Sequence, residues 1–325
     1  MRVLESPARD LLRLVVYYPG QAVVRLLPTP LAILCFETMG ALHAALRPGS
    51  IARIGAAIAK TGLAAAPRGE AVAHVKNHYV DRLHVFLYPR LAGHVERTAW
   101  IRVEGREHLD RALAEGRGAV VVHPHYAVPQ LLPLAFGNHG YRCLQIGLPS
   151  SEGLSAVGIS VAFRTRQRLE KLLPARILPA DGYLRPAFRW LAGGGVVFTT
   201  GDGTGGGRFR GRFLPIELFG QAVLFPAGAA KLALAARAPL LPAIVLREGR
   251  GRYVARIAPP LVSGAAPAEA RPAGASAEDG VDDARSDAMM RAFVAWLEVE
   301  MRAAPGLWHF WDELGSGALA PGRAA

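Results

Sequence analysis

Residues 99–262 alternate short apolar runs with stretches of helix length, and this alternation constrains the fold more than any other feature of the chain. The runs at 119–123 (AVVVH), 142–147, 175–178, 195–200 and 240–246 have the length and β-branched content of buried strands. The stretches at 126–136, 161–173, 183–192 and 226–237 read as the helices between them, with Pro226 as a first-turn residue of the last. Strands that alternate with helices build a mainly parallel sheet flanked by helices, which is an α/β fold.

Four regions are expected. Residues 1–98 form a helical, membrane-associating region, with helices over 11–27, 31–46, 51–63 and 72–88. The first two are more apolar than a soluble helix requires and carry Arg13 and Arg25, a combination suited to lying in a membrane interface. The apolar run 31–46 is short for a span and contains Glu37, so a polytopic membrane protein is not expected. Nor is a secretory leader, because Glu5, Asp10 and Arg13 interrupt the start. Residues 99–262 form the α/β core. Residues 263–285, rich in Ala, Pro, Gly and acid, read as a linker. Residues 286–325 supply a last helix, over 286–302, and an aromatic anchor from Trp308, Phe310 and Trp311.

Composition narrows the function. Cys35 and Cys143 are the only cysteines, which leaves no disulfide framework or cysteine metal quartet and points to a reducing compartment. The net charge is +12: residues 1–100 contribute +6, residues 101–262 +11 and residues 263–325 −5. A basic body with an acidic tail suits a polyanionic partner such as an anionic membrane surface, an acidic carrier protein or a phosphorylated substrate. Nucleic acid is not expected, because no zinc finger, helix-turn-helix signature or interleaved aromatic-basic patch is present.

The candidate chemistry falls where strands end. His125 follows the run 119–123, at the sheet edge where ligands gather in α/β folds, and a neutral imidazole there takes a proton from an attacking group. His123 and His125 would share a face in extended chain, but no third ligand accompanies them, so no metal is expected. His74 and His78 have helical i, i+4 spacing, lack the Glu of a zinc-protease motif and read as solvated. The segment TTGDGTGGGRFRGRF (199–213) sets Asp202 among glycines, which permit close backbone approach to a ligand, and follows them with Arg208, Arg210 and Arg212, whose forked donors suit phosphate. No Lys-Ser or Lys-Thr pair follows, so a nucleotide P-loop is not expected.

Four segments in order, RGAVVVHPHYAVPQLL, LAGGGVVFTTGDGTGGG, FLPIELFGQAVLFPAGAAKLALAARAPLLPAIVLR and PGLWHFWDEL, resemble bacterial lipid A late acyltransferases of the lysophospholipid acyltransferase superfamily. The resemblance spans roughly residues 10–314. It implies a glycerophosphate acyltransferase-like α/β enzyme at the cytoplasmic face of the inner membrane, peripheral or monotopic. It also implies transfer of a fatty acyl chain from acyl carrier protein or acyl-CoA to a hydroxyl or amine of a membrane lipid, with no metal or bound organic cofactor. His125 matches the family's catalytic His. The family's acid five positions later is replaced here by Gln130, whereas its acidic residue after a later strand matches Asp202. The implied catalytic residues are therefore His125, Gln130 and Asp202, and the implied substrate-binding residues are His123, Tyr126, Arg208, Arg210 and Arg212. Three alternatives stand: Gln130 suffices as orienter, Asp202 supplies the carboxylate, or the chain is a weak or inactive lipid-binding member of the fold.

Overall fold

The computed structural model describes residues 6–91, 100–147, 151, 153–180, 183–203, 211–261 and 277–320. Its centre is a seven-stranded sheet in the order β1-β9-β8-β2-β5-β3-β4. These strands are β1 (Ile101–Glu104), β2 (Ala119–His123), β3 (Cys143–Gly147), β4 (Ala175–Pro179), β5 (Val196–Thr200), β8 (Leu240–Gly249) and β9 (Arg252–Ile257). The five strands β8, β2, β5, β3 and β4 run parallel, and β9 turns antiparallel to β8 and carries β1 alongside it. β6 (Phe213–Leu218) and β7 (Gln221–Pro226) form a separate antiparallel hairpin. The expected α/β architecture is therefore present.

Burial explains the sheet. All five residues of β2 are buried, and the sequence there is the apolar run AVVV closed by a buried His123, as suits a strand covered on both faces. The covering helices in the core are α7 (Arg106–Ala114), α8 (Leu131–Asn138), α9 (Arg164–Glu170), α10 (Arg185–Ala192) and α11 (Gly228–Ala236). Preceding them are α1 (Pro7–Val15), α2 (Gln21–Leu26), α3 (Thr29–Leu46), α4 (Pro48–Ala59), α5 (Pro67–His84) and α6 (Tyr88–Leu91); α12 (Ala277–Met301) and α13 (Trp311–Gly315) close the chain.

α3 is long and apolar enough, by length and composition, to cross a membrane. One of its faces nevertheless packs on the body, where Ile33, Phe36 and Glu37 are buried. The Glu37 carboxylate accepts from Arg247 and from Arg250, at 2.8 Å for the latter, which ties α3 to the end of β8.

Several local expectations are corrected. The helix expected from Tyr126 begins at Leu131, because Tyr126 bridges to Trp308 and the Ala127 N–H donates to the Leu307 carbonyl at 3.0 Å. The bridge at Tyr126 is followed by Ala127 at φ 50°, which lies outside right-handed helical geometry. Pro226 ends β7 rather than starting a helix, and α11 begins at Gly228. α12 begins at Ala277, inside the expected linker. The β6–β7 hairpin was not expected. Its turn is Phe219-Gly220, both at positive φ (49° and 71°), and Phe is a poor sequence signal for that conformation.

Candidate active site

Strand order brings the candidate residues together. β2 and β5 are parallel neighbours, and His123 is registered against Thr200. His125 and Asp202 each lie two residues beyond that pair, so the register alone delivers both to the same carboxyl edge of the sheet. The Gly201 N–H donates to the His123 carbonyl at 2.9 Å and carries the pairing one residue further.

The His125 Nδ1 lies 2.8 Å from Asp202 Oδ1. The backbone N–H of His125 also donates to the same carboxylate, 3.0 Å from Oδ1 and 2.9 Å from Oδ2. An ionised carboxylate only accepts, so Nδ1 carries the proton and Nε2 presents its lone pair. The Asp202 side chain is fully buried, whereas the His125 side chain keeps 34% of its surface exposed. The imidazole is therefore reachable from solvent while its carboxylate partner is sealed.

The C-terminal segment completes the seal. The His309 N–H donates to the His125 carbonyl at 3.0 Å, which holds this segment antiparallel to the loop after β2. That pairing sets the Trp308 indole Nε1 at 2.8 Å from Asp202 Oδ2. Phe310 meets the His125 ring edge-on, with centroids 5.0 Å apart. Gly203 sits at φ +77°, where a Cβ would collide with the Phe310 ring.

The electrostatics follow from this geometry. Burial lowers the His125 pKa, but the Asp202 charge and hydrogen bond outweigh it and leave the imidazole above its ordinary value. Burial raises the Asp202 pKa, and the His125 charge with hydrogen bonds from His125 and Trp308 brings it below the usual carboxylate value. The surrounding histidines go the other way. Burial first and His125 second push His123 down to about 4, and burial first and His309 second push His74 down to about 4. Burial also lowers His78 and His309. Of these, His125 alone has a carboxylate partner and a raised pKa.

The other expected site residues are placed differently. Gln130 precedes α8 without a side-chain capping bond, and its Oε1 is buried without a hydrogen-bond partner; the carboxylate at His125 is Asp202. His123 is 1% exposed inside β2, so it backs the site rather than facing a substrate. Tyr126 is equally buried, and its hydroxyl donates to the Ala304 carbonyl at 2.7 Å, fastening the C-terminal segment. Arg212 forms a bidentate pair with Asp287 at 2.6 and 2.8 Å, so its fork is committed to a carboxylate of α12. Arg208 and Arg210 lie outside the described residues. The expectation that His74 and His78 are solvated is wrong for His74, which is buried with Nδ1 2.8 Å from the Trp308 carbonyl. His78 packs between His74 and His309, with ring centroids 4.5 and 4.8 Å away. Among the described residues no group of three or more His, Cys, Asp or Glu is placed to hold a metal ion.

Trp308 and Gly203 are the contributors that sequence reasoning missed. Trp308 read as an anchor, although its place in PGLWHFWDEL was visible, and the glycine served the Phe310 ring rather than a ligand.

A family model of bacterial lipid A biosynthesis acyltransferases matches residues 7–311. The chain belongs to that family. No curated protein matches it. As a lipid A biosynthesis acyltransferase-family member it is an enzyme that uses an acyl thioester and a lipid acceptor. Where the resemblance implied an acid, at Gln130, the carboxylate that reaches the imidazole comes instead from Asp202 just past the neighbouring strand.

Proposed function

We propose that the chain moves a fatty acyl group from a thioester, carried by acyl carrier protein or CoA, to a hydroxyl or amine of a membrane lipid, with His125 as general base and Asp202 as its orienting partner. The observation that carries this reading is the 2.8 Å contact between His125 Nδ1 and a buried Asp202.

His125 Nε2 accepts the proton of the acceptor O–H or N–H as that atom attacks the thioester carbonyl. The carbon–sulfur bond breaks, and the departing thiolate recovers the proton from the imidazolium to leave as a thiol. Asp202 stabilises the imidazolium between these two transfers and fixes the ring by holding Nδ1–H. Gln130 has no part in this route. The reading of an inactive lipid binder rested on the lost acid at that position, and a carboxylate on His125 removes its motivation.

The reaction is set at a membrane surface. Eleven of the sixteen exposed large apolar side chains among the described residues fall within 11–46, including Leu11, Tyr18, Leu26, Leu42 and Leu46. With α3 packed on the body along one face, they support peripheral or monotopic attachment rather than a span. The basic body supports an anionic leaflet, and the reducing compartment inferred from the cysteines supports the cytoplasmic face of the inner membrane.

Purified protein supplied with acyl-CoA or acyl carrier protein thioesters and a panel of lipid acceptors tests the proposal. Acyl transfer that disappears in His125→Ala is expected. Transfer that persists in that variant refutes the assigned base.

A further inference from the structure

A cleft lies among α1, α3, α4 and α5, apart from the His125–Asp202 pair. Arg9, Arg47 and Arg82 line it, together with His43 and Tyr79, which are joined through Nδ1 and the hydroxyl at 2.9 Å. Among the described residues Asp312 is the one carboxylate in the lining, and its Oδ1 already accepts from the Arg53 guanidinium at 2.8 Å. Among the described lining residues guanidiniums therefore outnumber carboxylates. His43 registers that field: burial first, then Arg47, Arg82 and Arg9, hold it below its ordinary pKa.

The remaining wall is apolar, with Ile51, Ile54 and Val75. Cationic groups beside an aliphatic wall match an amphiphile whose phosphate meets the guanidiniums and whose first carbons meet the isoleucines. The cleft also opens among helices that carry exposed leucines, Leu11 and Leu12 on α1 and Leu42 and Leu46 on α3. His78 also lines the cleft. The His78 ring packs 4.8 Å from His309, whose own ring is 6.4 Å from His125. One neutral histidine therefore separates the cleft lining from the base.

We infer that this cleft is a binding site for the phosphate-bearing headgroup of the acceptor lipid, held by Arg47 and Arg82 with Arg9 beside them. The inference rests on the acyl-transfer reading for the word acceptor. The recognition itself, of a lipid phosphate by paired guanidiniums, is independent of turnover.

Equilibrium binding with the full chain in neutral detergent separates the two. The probes are dihexanoyl phosphatidic acid, the dihexanoylglycerol that lacks its phosphate, and free CoA. The wild type binds the phosphatidic acid at least about tenfold more tightly than the diacylglycerol, as charge-assisted pairing with two guanidiniums predicts. Arg47→Gln with Arg82→Gln abolishes that preference, Arg47→Lys with Arg82→Lys retains part of it, and CoA affinity is the same in all three proteins. The preference also survives in His125→Ala, so failure of the catalytic reading leaves this result standing. Equal binding of the two lipids by the wild type overturns the site. A preference that survives the double Gln change overturns the assignment to Arg47 and Arg82. An equal loss of CoA affinity overturns the acceptor, because the phosphate bound there would be the donor's. Both arginines are exposed, and unchanged thermal unfolding of the double variant confirms that the comparison reads binding.

Discussion

Trp308 donates its indole N–H to Asp202 Oδ2 at 2.8 Å, while His125 Nδ1 takes Oδ1 at 2.8 Å. Each oxygen of a sealed carboxylate thus has a side-chain donor, and one of those donors comes from the C-terminal aromatic segment. The His125 backbone N–H already spans both oxygens, at 3.0 and 2.9 Å. The indole adds a second donor on Oδ2, and we expect Trp308 to act as a positioning residue.

Trp308→Phe keeps most of the buried apolar volume and removes only the donor. We expect kcat to fall about tenfold with KM little changed, in line with loss of one hydrogen bond to a charged group. Steady-state kinetics on protein of unchanged circular dichroism checks this. Equal falls in activity and in folded fraction would make Trp308 a packing residue only.

The pH profile carries a definite sign. The His125 pKa is raised, and the base must be neutral to act, so the acid limb of kcat/KM lies above pH 6.5. Asp202→Asn removes the raising charge and leaves burial as the main influence, so the limb moves to lower pH. A limb that stays in place in Asp202→Asn would assign the shift to another group.

The same pair links pH to stability. The raised His125 pKa gives stabilisation that is full below its unfolded value of 6.5 and is lost as pH rises through the folded value. The depressed Asp202 pKa gives stabilisation present above 3.8 and lost as pH falls through its folded value. Between those two ordinary values the wild type therefore gains most over His125→Ala. Denaturant titrations of both proteins across pH show it, and a difference independent of pH would contradict the pairing.

Gly203→Ala places a methyl group against the Phe310 ring at φ +77°. We expect a loss of about 1–3 kcal/mol in urea unfolding, together with a fall in activity as Phe310 shifts from the His125 ring. Unchanged stability and activity would show that the loop absorbs the methyl group freely.

Much of the sheet was legible because β2 and β5 open on apolar runs, AVVV and VVF, with the polar residues His125 and Asp202 just past their ends. Their partnership was legible only as one of three open alternatives. They are 77 positions apart, and only the adjacency of β2 and β5 in the sheet decides that Asp202, rather than the nearby Gln130, reaches the imidazole. His74 was misread for a similar reason: its cover is Trp308, 234 positions away, which no local helical spacing reveals. The β6–β7 hairpin was hidden by Phe219 in a left-handed turn position, a residue that side-chain sterics disfavour there. Tyr126 and Ala127 were drawn out of the expected helix by pairing with the C-terminal segment, which outweighs local propensity.

Membrane attachment is tested by substitution rather than truncation, because α3 also packs on the body through Glu37, Arg247 and Arg250. Leu11, Leu12, Leu42 and Leu46 are exposed, so changing them to Gln should leave the fold intact. The fraction that sediments with phosphatidylglycerol vesicles should drop severalfold, since each leucine gives up roughly 1.5–3 kcal/mol of burial in lipid. Equal sedimentation of both proteins would remove these helices as the anchor.

The account's central claim is that His125 and Asp202 act as one unit, and turnover of His125→Ala, Asp202→Asn and the double variant tests it most directly. Each single change should lower acyl-transfer turnover by about 10²–10⁴, and the double should be scarcely worse than the more damaging single, because groups acting together are not additive. In the same assay Gln130→Glu should not raise turnover, since His125 already has its carboxylate. Effects that multiply in the double variant, or activity gained by Gln130→Glu while Asp202→Asn remains active, would contradict the pairing on which the mechanism stands.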